Sequence, residues 1–107
     1  MASIGAMGDL LKQAQEMQSR MAKIQEELAN KTVQGSAGGG MVQVTVNGQF
    51  HMTAVQIEPA VINSAEKEML EDLILAAVND GMRKARELAS SEMSKLTGGL
   101  KIPGLMP

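Results

Sequence analysis

The sequence predicts an α+β chain in the order long helix, three-stranded antiparallel sheet, long helix. Three observations carry this reading. An apolar repeat of 3.5 residues runs from Asp9 to Asn30, the period changes to two between Val42 and Ala54, and helical spacing returns beyond Pro59. A length of 107 residues fits a single domain over residues 1–107. Residues 1–8 are expected to be a flexible N-terminus, and residues 97–107 a Gly/Pro tail.

The first helix rests on Leu10, Ala14, Met17, Met21, Ile24 and Leu28, a seam that keeps one stripe of a helix against a partner. Asp9 has the chemistry of an N-cap, and neither Pro nor Gly interrupts the segment. From Lys31 onward, Val42, Val44 and Val46 alternate with polar residues up to Asn47-Gly48, a turn signal, after which Phe50, Met52 and Ala54 resume the alternation. A two-residue loop would pair Val46 with Gln49. A three-residue loop pairs Val46 with Phe50 and Val44 with Met52, giving one apolar face, and is preferred. Val55 and Ile57 fall on the opposite parity, which predicts a bulge near Ala54-Val55. A short strand around Thr32-Gly35, joined through Ser36-Gly40, completes the sheet.

Pro59 ends the sheet, and Asn63 with Glu66 has capping-box spacing. Leu70, Leu73, Ile74, Ala77, Val78, Ala85, Leu88 and Ala89 then mark a helix reaching about Leu96. Gly81 costs about 1 kcal/mol relative to Ala in a helix interior, so a kink or break is expected there. Thr97-Gly98-Gly99 stops the helix, and the tail LKIPGLMP is expected to dock loosely or stay mobile.

Composition narrows the function. Val, Ile, Leu and Phe make up 24 of 107 residues, with one aromatic (Phe50). The core is therefore thin, and helices that overhang a short sheet leave an apolar stripe uncovered, so a second copy of the chain is expected. Met17, Met21, Leu70, Leu73, Ile74 and Ala77 are the candidate dimer contacts. Zero cysteines exclude thiol catalysis and Cys-based metal sites. The opening MASIGAMGD lacks the character of a signal peptide, and the longest aliphatic run, Leu73 to Val78, is far too short to span a bilayer, so the expectation is a soluble cytoplasmic protein with no membrane partner.

No cofactor, metal or small-molecule substrate is expected. Gly35 to Gly40 lacks the Gly-Lys-Ser/Thr and the helix of a phosphate loop, and reads as a strand connector. His51 has no recognisable nucleophile or orienting partner and reads as a half-exposed strand residue. Glu66, Glu68, Glu71 and Asp72 scatter around a helix and complement its dipole. An enzyme is therefore not expected.

Charge is distributed unevenly. Residues 1–57 balance at zero, residues 58–80 carry −5 and residues 81–107 carry +3, within a net charge of −2. Arg83, Lys84, Arg86 and Lys95 on the second helix, with Lys12, Arg20 and Lys23 on the first, form a candidate phosphate-binding set. Without aromatics for stacking or a base-reading motif, contact with nucleic acid would run through backbone and duplex shape. The alternative is a helical module clamping an acidic protein.

The run LLKQAQEMQSRMAKIQEELANKTVQGSAGGGMVQVTVNG resembles the opening of the YbaB/EbfC family of bacterial nucleoid-associated proteins. EKEMLEDLILAAVNDGMRKA resembles that family's second helix and LTGGLKIPGL its ending, so the resemblance covers nearly the whole chain. It implies a tweezer-like homodimer with protruding helices that binds double-stranded DNA and organises or protects the nucleoid. The DNA contact carries over only as a region, the protruding parts of the helices. Gly81 stands where the family usually has a small residue such as Ala after the Asn-Asp pair.

Overall fold

The computed structural model describes residues 2–97, and side chains from residue 5 to residue 96. The order is α1 (Ala2–Asn30), β1 (Thr32–Ala37), β2 (Val42–Asn47), β3 (Met52–Ile57) and α2 (Lys67–Thr97). Two one-turn 3-10 helices, Pro59–Val61 and Ser64–Glu66, lead from β3 into α2. The sheet is antiparallel in the order β1-β2-β3.

The long-helix, three-strand, long-helix order follows the sequence, but several details differ. Helix α1 begins at Ala2, so residues 2–8 are helical and Asp9 lies inside the helix rather than capping it. No Pro interrupts residues 2–8, and Gly5 and Gly8 contact nothing that a side chain would strike. The tail after Thr97 lies outside the described residues. Asn63 does cap, its Oδ1 accepting from Ala65 N at 3.0 Å, but the turn it caps is 3-10 and α2 follows at Lys67.

The β2–β3 connection is longer than predicted. Val46 pairs with Met52, Val44 with Val55 and Val42 with Ile57, and the extra residue of the bulge is Thr53 rather than Ala54-Val55. The cause lies at Asn47, which is buried. Its Oδ1 accepts from Gln49 N (2.9 Å) and His51 N (3.0 Å), while its own N–H donates to the His51 carbonyl at 2.9 Å. These bonds enclose residues 47–51 in one turn, with Phe50 in the left-handed region at φ 66°. His51 therefore sits in the turn, exposed, just before β3.

Helix α2 is continuous through Gly81. It crosses β1 and β2 so closely that a Cβ on Gly35 would overlap the backbone of Ala77 and Gly81. A Cβ on Gly81 would lie 2.9 Å from Val44 Cγ2 and 3.0 Å from Val46 Cγ2. Two glycines thus make a backbone-on-backbone crossing, and the packing gained there offsets the low helix propensity of Gly81.

Two cores result. Val42, Val44 and Val46 pack with Ala77 and Ala85 between sheet and helix, flanked by half-buried Leu70, Leu73 and Ile74. Ile24, Leu28 and Leu96 form the second, with Met17 and Met21 packed against it. Ala77, expected at a dimer interface, is fully buried within the protomer beneath Gly35 and presents no surface to another chain. Residues 5–16 of α1 are exposed throughout, so the seam is partnered only from Met17 onward.

Candidate nucleic-acid interface

The C-terminal turns of α1 and α2 lie together, and a cleft of about 310 Å³ opens between them. From α1 it is lined by Arg20, Lys23, Ile24 and Glu27, spaced so that they share one helix face. From α2 come Glu92, Lys95 and Leu96. Ile24 and Leu96 are buried and fix the helix separation, while Lys23 and Lys95 are exposed at the rim.

Glu92 forms the polar floor, with its side chain only 4% exposed. Its Oε1 accepts from Lys31 Nζ at 2.6 Å and from Lys95 Nζ at 3.2 Å. The two ammonium groups, Lys31 first, hold the Glu92 carboxyl below the usual range, and Glu92 in turn raises Lys31.

The turn at residues 47–49 anchors α1 beside this cleft. Gly48 N donates to the Leu28 carbonyl at 2.8 Å, Gln49 Nε2 to Gln25 O at 2.9 Å and Asn47 Nδ2 to Ala29 O at 3.4 Å. The bonds to Leu28 and Ala29 satisfy carbonyls that the helix end leaves without intrahelical partners, and the Gln49 bond adds a second donor to a carbonyl one turn earlier.

The seven cations expected to meet phosphate fall into three groups. Arg20, Lys23 and Lys95 share the cleft. Lys12 and Arg86 are exposed, Lys12 on the overhanging half of α1, and neither makes an ion pair among the described residues. Arg83 and Lys84 have intramolecular work. Arg83 bridges Asp80 (2.9 Å) and Glu87 (2.8 Å). Lys84 reaches Asp80 at 3.1 Å and donates to the Gln34 carbonyl at 3.1 Å.

Asp80 is the hub of that second network. It accepts from Ser36 N at 3.0 Å as well as from Arg83 and Lys84, tying β1 to α2. The Ser36 N–H, then Arg83 and Lys84, bring its pKa down to about 2. Asp80, Glu92 and Lys31 were not singled out from sequence. The three-residue spacing of Glu92 and Lys95 is visible there, but Lys31 lies 61 positions away and only the fold joins it to them.

Phe50 is not among the residues that line the basic cleft. It lines a different hollow, with Gln25, Leu28, His51 and Met93 among its neighbours, and offers no stacking platform beside Arg20 or Lys95. No helix among the described residues is long and apolar enough to cross a membrane.

Comparison with known proteins agrees with this architecture. A crystal structure of an uncharacterised protein from Helicobacter pylori superposes with a TM-score of 0.72 at 25% identity, over 86% of this chain and 94% of that one. A nucleoid-associated protein of Desulfotalea psychrophila is 57% identical over 90% of this chain and 91% of its own length. Another, from a Thermoanaerobacter species, is 50% identical over 92% and 89%. Neither relative carries the name of an enzyme. Residues 4–100 match the YbaB/EbfC DNA-binding family, and with relatives this similar over nearly their full length, the chain belongs to that family.

Proposed function

We propose that this chain acts in the nucleoid as a homodimer that holds double-stranded DNA mainly by its phosphate backbone and alters its conformation or organisation. The observation that carries the reading is the convergence of Arg20, Lys23 and Lys95, from two helices, on one solvent-open cleft. Lys12 and Arg86 are further exposed cations, and neither is in ion-pair contact with a carboxylate among the described residues. A net charge of −2 means that the duplex must meet this local patch, so affinity is modest and salt-sensitive.

The sheet supports the dimer. Met52 and Val55 lie opposite Val46 and Val44 and so share their face, yet α2 covers mainly β1 and β2 and leaves these two 44% and 48% exposed. Strand β3 is also one of the two edges of the sheet, the one that α2 covers less. A second copy placed over β3 buries this surface and sets two helix pairs on one body.

The test is fluorescence anisotropy of a duplex of about 30 base pairs over a salt series, where log affinity should fall linearly with log salt. R20E/K23E is expected to lose at least tenfold in affinity, as charge reversal at two phosphate contacts demands, with an unchanged circular dichroism spectrum. Equal affinity in the folded variant would remove the cleft from the reading.

A further inference from the structure

Glu92 stands at the place where the rest of the cleft would draw an anion. Arg20, Lys23 and Lys95 surround the opening, and the floor beneath them is a buried carboxylate. Both of its ammonium partners use the same oxygen, Oε1, but they are not equivalent. Lys31 makes the shorter bond, at 2.6 Å, and cross-links the end of α1 to α2. Lys95 makes the longer bond, at 3.2 Å, within one turn of α2, and its side chain is 66% exposed. Lys95 is therefore free to leave Glu92 without parting the helices, because Lys31 keeps the carboxylate paired.

We propose that this cleft is a seat for a single phosphate group, and that Glu92 is its built-in competitor, holding Lys95 in the resting state and releasing it to the incoming anion. The proposal rests on the DNA reading above for the identity of the phosphate. Arg20 and Lys23 meet the phosphate from α1, and Lys95 turns to it from α2. Glu27, also in the lining, and Glu92 oppose the anion at short range and keep its residence short. A protein that must exchange among many equivalent backbone sites benefits from such a limit, since a seat without it would hold one position too long.

The experiment compares the wild-type chain with E92Q and K95Q, using the same duplex over a salt series and calorimetric titration with inorganic tripolyphosphate. E92Q keeps the side-chain shape and an acceptor for Lys31 while removing the charge. It is expected to hold both ligands roughly three- to tenfold tighter, the scale of one partly screened charge. K95Q should bind both more weakly and lose about 0.9 from the duplex salt slope, the loss of one phosphate contact. E92Q that binds no tighter than wild type, with an unchanged melting curve, would overturn the proposal and leave Glu92 as a strut. If E92Q fails to fold, K95Q decides, and an unchanged affinity and slope would overturn it equally. Tripolyphosphate binding that tightens in E92Q, with no duplex binding by any variant, would keep the seat and defeat the DNA reading. Duplex binding with no tripolyphosphate held by any variant would do the reverse.

Discussion

At Gly35 the chain carries a constraint that no side chain satisfies. Its Cβ position is already occupied by the backbone of α2, which has no flexible end to yield. Gly35→Ala is expected to cost roughly 3 kcal/mol or more in a denaturant melt. Gly81→Ala regains about 1 kcal/mol of helix propensity, but its Cβ would press on the methyls of the buried, χ1-stiff Val44 and Val46. A net loss of about 1–2 kcal/mol, smaller than that of Gly35→Ala, is expected. Asp80 gives a pH signature at the same scale. It titrates near 3.8 in an unfolded chain and about 2 here, so its contribution is complete above about pH 4 and disappears as pH falls through about 2. Thermal melts should therefore show D80N below wild type at pH 7, with the gap closing between pH 4 and pH 2.

At the scale of elements, the helices were legible because their apolar spacing is local. Leu10 to Leu28 and Leu70 to Ala89 each declare a face without reference to the rest of the chain. The strands were legible for the same reason, and the parity break at Val55 correctly announced a bulge. Its position was not legible, because Asn47 decides it by closing a five-residue turn on itself and lending that turn to the end of α1. A helix whose carbonyls require donors does not name the turn that will provide them. The same limit hid the floor of the cleft, where Lys31 and Glu92 meet only in the folded chain. Leu28 lies where α1, the turn and α2 meet. Leu28→Ala should cost about 2–5 kcal/mol, and native-state hydrogen exchange should show α1 losing protection before β1 and β2.

The whole molecule is far from a sphere. It measures 78 × 27 × 16 Å with a radius of gyration of 20.8 Å, against about 13 Å for a compact chain of this length. Two long helices reach beyond a three-stranded sheet, and the apolar part of β3 that they leave uncovered points to a second copy. Val55→Asp places a charge on the half-exposed part of that face, beside Val44, while leaving the valines of β2 themselves in place. Sedimentation should then report a monomer whose circular dichroism spectrum matches wild type. A dimer that survives this change uses another face.

The unaccompanied first half of α1 has a thermodynamic consequence. Residues 5–16 gain no buried contact from the rest of the protomer, and helices shorter than about 12–15 residues are marginal in water. Their helicity is thus borrowed from the half of α1 that is docked, and it frays toward the N-terminus. A partner that engages Lys12 must first spend part of its interaction free energy on ordering this stretch. Recognition by the tip of the arm then carries an unfavourable entropy and a favourable enthalpy, whereas contact at the docked cleft does not.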